Sequence, residues 1–145
     1  MIKVRNIMTK EVIPVSKSLS LIEAAKLMTY KSVSDLVVVE KGMPVATISE
    51  NDIIKGIVSK KTTVKDAMSR EFMIISPLKR FSEIIKSQKE RKIKTFMVVE
   101  NEKLSGIITE TDIIEAVRDF TKTHQIVQEV ILSIFGLATA FFLFI

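Results

Sequence analysis

The sequence contains no cysteine, no tryptophan, one tyrosine and one histidine, and these scarcities exclude several kinds of site. Without cysteine, disulfides and thiolate metal sites are excluded, and no oxidising compartment is implied. The lone histidine, His124, cannot anchor a metal cluster, so we expect it at the surface near a helix end. The few aromatic residues give no evident stacking platform for single-stranded nucleic acid, which argues against such a partner. With 4 glycines and 3 prolines, long flexible linkers are not expected.

The 145 residues have room for one ordinary domain, or for two small ones that share a core. Hydrophobic residues make up 47% and charged residues 27%, which is typical of a globular protein. The net charge of +5 comes from scattered lysines and modestly favours an anionic ligand. The first ten residues have no apolar core region of a signal peptide, so we expect a cytoplasmic protein.

An internal repeat organises the chain, because residues 4–54 align without a gap over residues 64–114. The matching ends are ISENDII at residues 48–54 and ITETDII at residues 108–114. Each copy has the pattern strand, helix, strand, strand, helix. In the first copy the strands are expected at residues 12–15, 36–39 and 44–48, with a tight turn at Lys41-Gly42.

One such copy would bury too little surface to be stable alone. The sequence therefore predicts an α/β (α+β) fold in which two small β-sheets flanked by helices form a pseudo-twofold sandwich. The expected divisions are residues 1–59, residues 60–120 and an apolar helical tail at residues 121–145. Residues 56–63 are expected to link the two copies.

The motifs of both copies resemble the CBS domain, named after cystathionine β-synthase. The opening Ile-Met-Thr element of that family corresponds to VRNIMT at residues 4–9 and to VKDAMS at residues 64–69. Its closing pattern, Gly-apolar-apolar-Thr/Ser-x-x-Asp, is complete in GIITETD at residues 106–112. The first copy has ATISEND at residues 46–52, with Ala46 and Thr47 as departures. The resemblance covers about residues 1–118.

The resemblance implies tandem CBS domains that bind an adenine nucleotide (AMP, ADP or ATP) or S-adenosylmethionine in clefts between the two copies. It further implies a homodimer that regulates another protein. The sequence has no nucleophile–base pair, metal-ligand cluster or glycine-rich phosphate loop. We therefore expect that the protein is not an enzyme and requires no cofactor. The alternative is a ligand-free structural or oligomerisation adaptor.

The Ser/Thr-x-x-Asp element lies where a strand ends and a helix begins. The unpaired amides of a helix N-terminus favour a phosphate, and the hydroxyl of Ser49 or Thr109 could add a hydrogen bond. The carboxylate of Asp52 or Asp112 could accept from both hydroxyls of a ribose. The alternative is a capping box without a ligand. Aspartate favours the ligand, because it reaches back to the capping amide less readily than glutamate.

The remaining ligand contacts come from the resemblance. It implies that Ile13 and Pro14, or Met73 and Ile74, form the walls of an adenine slot, with ordinary core packing as the alternative. It also implies phosphate contacts just before the second strand of a copy, here Lys94 and Thr95. A solvated surface is the alternative for these residues. The equivalent segment of the first copy ends in Asp35, which would repel a phosphate. We therefore expect the cleft of Thr109 and Asp112 to be the better site.

The composition changes sharply after residue 120. Residues 126–145 carry one charge, Glu129, and as a helix they would be ~30 Å long, just enough to span a membrane. Three interpretations are open. The tail is a membrane anchor, it is a helix that associates with itself or a partner, or the chain is part of a longer protein.

Overall fold

A computed structural model describes the backbone of residues 2–144 and the side chains of residues 2–134. The chain divides into two compact units between Glu110 and Thr111. In the first repeat, a single 3-10 turn (Val4–Asn6) precedes β1 (Pro14–Val15), α1 (Leu21–Lys31), β2 (Asp35–Glu40), β3 (Met43–Ser49) and α2 (Glu50–Val58). In the second repeat, the order is α3 (Val64–Ala67), β4 (Met73–Ile75), α4 (Phe81–Arg91), β5 (Thr95–Glu100), β6 (Lys103–Thr109) and α5 (Glu110–Phe144).

Each repeat forms a three-stranded sheet of the same topology, β1-β2-β3 and β4-β5-β6. The first strand is parallel to the second, and the second is antiparallel to the third. Both hairpins close through two residues of positive φ, Lys41-Gly42 and Asn101-Glu102, which matches the right-handed twist of the strands. The sheets and helices confirm the fold predicted from the sequence.

The core of the first repeat lies between its sheet and α1. One apolar stripe of α1, formed by Leu21, Ala24 and Met28, is buried with the β2 and β3 side chains. A smaller cluster of Val37, Met97 and Ile107 joins the two sheets, because Val37 belongs to β2 and the other two belong to β5 and β6. The two repeats thus share buried apolar surface, as their small size requires.

The segment of residues 2–9, here the first leader, pairs with the second repeat. The Val4 amide donates to the Lys79 carbonyl at 2.8 Å. Thr9 and Ile107 exchange two backbone hydrogen bonds, at 2.9 and 3.0 Å. The side chain of Val4 is fully buried. The first leader therefore belongs to the first repeat in sequence but packs on the second repeat in the structure.

The segment of residues 62–69, here the second leader, makes the equivalent contacts with the first repeat. The Val64 amide donates to the Leu19 carbonyl at 2.8 Å, and Ser69 and Thr47 exchange two backbone hydrogen bonds, at 2.8 and 2.9 Å. In each of these pairs the leader residue lies sixty positions after its counterpart in the first leader, and its partner lies sixty positions before the counterpart's partner. The exchange of leaders was not foreseen from the sequence, and it ties the two repeats by backbone hydrogen bonds.

Gly106 is where the first leader approaches β6 most closely. A Cβ at this position would lie 2.7 Å from Met8 Sδ and 3.0 Å from the Thr9 carbonyl oxygen. We expect Gly106→Ala to lower the free energy of unfolding by about 1–3 kcal/mol, because the leader must shift. Urea denaturation measures the loss. In a Met8→Ala background the same substitution should cost less, and an equal cost in both backgrounds would contradict the contact.

Two predictions about boundaries were wrong. The link predicted at residues 56–63 is shorter, because α2 continues to Val58 and buries Gly56 against Leu21 and Ala67. The closing helix and the tail were predicted as separate parts, but α5 is continuous from Glu110 to Phe144. No proline or glycine occurs between Glu110 and Gly136, so nothing in the sequence terminates the helix there.

The predicted tail, residues 126–145, falls partly on residues 135–145, whose side chains lie outside the described part of the chain. Within that described part, no helix is both long enough and apolar enough to cross a membrane.

Candidate functional site

The junction between β3 and α2 is a closed capping box. Ser49 is the N-cap in an extended conformation, and its Oγ accepts from the Asp52 amide at 3.1 Å. Asp52 Oδ2 in turn accepts from the Ser49 amide at 2.9 Å. Aspartate was expected to reach the capping amide less readily than glutamate, but at this junction it does make that bond. The N-cap amide points along the first turn, so the short carboxylate is long enough.

Other groups at this junction are also engaged. The Glu50 amide, at the first position of α2, donates to the Ser34 carbonyl at 3.1 Å. Two amides of the first turn of α2 are thus used within the chain, and an incoming phosphate would compete with these bonds. Within the described residues, Asp52 Oδ1 has no hydrogen bond. A ligand hydroxyl that donated to Oδ1 would not have to displace either bond of the box.

The charge at the first junction is negative. Asp35 at the start of β2 pairs directly with Ser49 at the end of β3. Its Oδ2 accepts from the Ser34 hydroxyl at 3.2 Å. Together with Glu50 and Asp52 of the first turn of α2, Asp35 makes a group of three carboxylates at this end of the sheet. Such a group opposes a phosphate.

The junction between β6 and α5 has the same strand pairing but a different charge. Thr95, which begins β5, pairs with Thr109, which ends β6. Asp112 lies in the first turn of α5, as Asp52 does in α2. Lys94 and Thr95 replace Ser34 and Asp35, so this junction has one more positive and one fewer negative charge. Lys94 is exposed, and Thr109 and Asp112 are half-buried.

The predicted adenine walls lie on the outermost strands of the two sheets. Pro14 of β1 and Ile74 of β4 are equivalent, and both are exposed; Ile74 retains 49% of its surface. Ile13 and Met73, which precede them, are half-buried. Ile13 packs against the core of the first repeat, so ordinary packing accounts for part of its burial. The exposed Ile74 is apolar surface that a ligand ring could cover.

A groove between α1 and α2 adjoins the first junction through Glu50. Its volume is about 220 Å³, and its walls are Ala25, Met28, Thr29, Glu50, Ile53 and Ile54. This is below the volume of a typical site for a drug-sized ligand. The sequence did not single out this groove. In the described part of the chain, no group of three or more His, Cys, Asp or Glu side chains could hold a metal ion.

Comparisons with known proteins agree with these features. The model of the CBS domain matches residues 4–59 and 64–119. Among curated proteins, the uncharacterised protein MJ1232 of Methanocaldococcus jannaschii is 32% identical over 117 residues, which are 80% of this chain and 40% of that protein. MJ1225 of the same organism is 26% identical over 77% of this chain and 41% of its own length. The chain thus spans about 40% of the length of these two relatives.

Solved structures match over most of their length. The CBS domain pair of protein MJ0100, in complex with 5-methylthioadenosine and S-adenosylmethionine, is 24% identical with a TM-score of 0.73. The match covers 82% of this chain and 98% of that one. An uncharacterised protein from Pyrococcus horikoshii is 29% identical with a TM-score of 0.68, over 80% and 92% of the two chains. With both repeats matched, the chain belongs to the CBS domain family and contains two CBS domains in tandem.

Proposed function

We propose that this chain is a regulatory module that binds an adenosine-containing ligand and thereby changes its interaction with a partner protein. The observation that carries the proposal is the pair of equivalent strand-to-helix junctions, each ending in Ser/Thr-x-x-Asp. The pair of MJ0100, which has the same fold, was solved with two adenosine-containing ligands. Candidates for this chain are AMP, ADP, ATP and S-adenosylmethionine.

In this proposal, the junction of β6 and α5 is the stronger site. The carboxylate of Asp112 accepts from the ribose hydroxyls, and the Thr109 hydroxyl and Lys94 contact a phosphate or another anionic group. Thr95 lies beside Thr109 in the sheet and adds a second hydroxyl. Met73 and Ile74 cover one face of the adenine ring. The exposed surface of Ile74 supports this last role.

The junction of β3 and α2 is the weaker site in the proposal. Asp35 pairs with Ser49 across the sheet and adds a negative charge beside Asp52, whereas the other junction has Thr95 and Lys94 in the equivalent places. A ligand without a phosphate suits this junction better, because its ribose could use Asp52 Oδ1 while Ile13 and Pro14 contact the base. The two sites would then differ in ligand as well as in affinity.

Thermal denaturation in the presence of AMP, ADP, ATP and S-adenosylmethionine tests the proposal. A ligand at about a hundred times its Kd stabilises the native state by ~2.7 kcal/mol. For a chain of this size we expect Tm to rise by about 5 °C or more. Ribose 5-phosphate, which lacks adenine, is the control and should have a smaller effect. An unchanged Tm with all four would instead favour the ligand-free adaptor.

A further inference from the structure

The exposed part of α5 has the residue pattern of a coiled coil. From Val117 to Ile134, positions alternately three and four residues apart lie on one side of the helix. They are Val117, Phe120, His124, Val127, Ile131 and Ile134. This spacing averages 3.5 residues, the period at which two helices stay in contact along their length. Five of the six residues are apolar, although all six are exposed.

We propose that this face of α5, here the α5 seam, packs against the α5 seam of a second copy of this chain in a parallel coiled coil. An exposed row of large apolar residues is costly in water, and a partner helix would remove it from solvent. In the sequence, Ala138 and Phe141 continue the same spacing. The proposal is independent of ligand binding by the CBS domains.

The charges of α5 support self-pairing. Lys122 and Glu129 occupy positions on the side of the helix opposite the seam. The positions that flank the seam between Phe120 and Ile131 are Thr121, Thr123, Gln128 and Val130, none of which is charged. In coiled coils, charges at these flanking positions select a different partner or exclude an identical one. Two identical α5 helices would therefore meet without like-charge repulsion.

His124 favours a second copy aligned in register. It is the one polar residue of the seam between Val117 and Ile134, and its Nε2 lies 3.1 Å from Nε2 of Gln128 on the same helix. A buried polar side chain at a seam position lowers stability but fixes alignment, because it is best placed beside its own copy. Gln128 of the same helix is beside Nε2 only, so an entirely apolar partner helix, or a lipid surface, would offer no polar group to Nδ1 of the imidazole.

Substitutions at two neighbouring residues distinguish association through the α5 seam from association through any exposed apolar surface of the helix. Val127 lies on the seam, whereas its neighbour in sequence, Ile126, lies away from it, and both are exposed in the single chain, at 49% and 60%. We expect Val127→Asp to weaken self-association of the full chain at least tenfold in sedimentation equilibrium, while Ile126→Asp changes it less than threefold. Equal losses from both substitutions would indicate a general apolar surface, such as a lipid contact, and would overturn the proposal. A monomeric wild-type chain would also overturn it.

A variant that is expected to associate more strongly keeps the proposal testable even if the aspartate variants misfold. His124→Ile makes the seam apolar, so we expect it to strengthen self-association at least threefold. The circular dichroism spectrum should remain that of the wild type. No change, or weaker association, would show that His124 is not enclosed between helices and would overturn the proposal.

Discussion

Asp112→Ala is expected to weaken binding of an adenine nucleotide at least tenfold. The physical reason is the loss of an ionised acceptor for the ribose hydroxyls, because hydrogen bonds to charged groups contribute about 1.5–3 kcal/mol each. A loss of 1.4 kcal/mol is already a factor of ten in Kd. Isothermal titration with the nucleotide that gives the largest rise in Tm measures the effect.

Asp52→Ala is the matched control, because it removes the equivalent carboxylate from the other junction. Asp35 places a second carboxylate at this junction, where the other junction has Thr95, so we expect this variant to change nucleotide affinity less than threefold. It should instead lower the free energy of unfolding by about 1 kcal/mol, through loss of the cap. Equal losses of affinity, or the reverse order, would show that the charge difference does not rank the sites.

Removal of residues 1–9 should lower the free energy of unfolding by about 4–6 kcal/mol. The truncated chain loses the buried side chain of Val4 and the backbone bonds to Lys79 and Ile107. It also exposes the edge of β6 that the first leader covers at Gly106. Because natural domains are stable by only about 5–15 kcal/mol, the loss is a large share of the total. Urea denaturation of the truncated chain measures it.

Point variants separate the contribution of the first leader from the effect of shortening the chain. Val4→Ala should cost about 2 kcal/mol, whereas Arg5→Ala, next to it and exposed, should cost less than about 0.5 kcal/mol. Val64→Ala and Lys65→Ala should behave as the same pair in the second leader. A truncated chain with an unchanged urea midpoint would contradict the exchange of leaders between repeats.

The secondary structure could be predicted because its causes are local. Alternating apolar residues, the helical stripe from Leu21 to Met28 and the turn at Lys41-Gly42 each act over a few neighbouring positions. The repeat strengthened the prediction of each strand and helix, because the same pattern occurs in both copies. The exchange of leaders could not be predicted in the same way. The hydrogen bonds of Val4 and Val64 join backbone groups distant in sequence, and backbone groups carry no side-chain signature.

The two strand-to-helix junctions were predictable from the sequence, but their side-chain contacts were not. In the paired strands Ser49 lies opposite Asp35 and Thr109 lies opposite Thr95. The motif residues therefore adjoin Thr95, which was expected to contact a phosphate, and Asp35, which was expected to repel one. Whether Asp52 would cap its helix was a question of side-chain reach, and the spacing alone does not decide it. The sequence left three interpretations of the tail open, and among them the 3.5-residue spacing from Val117 onward favours the helix that associates with itself.

The most direct test of the central claim is isothermal titration of the full wild-type chain with AMP, ADP, ATP and S-adenosylmethionine. The account predicts that at least one of them binds, with one strong site per chain and a second site that is much weaker. Two sites of equal affinity for a nucleotide would contradict the inequality of the junctions. No heat of binding from any of the four at millimolar concentration would contradict the ligand-sensing function itself.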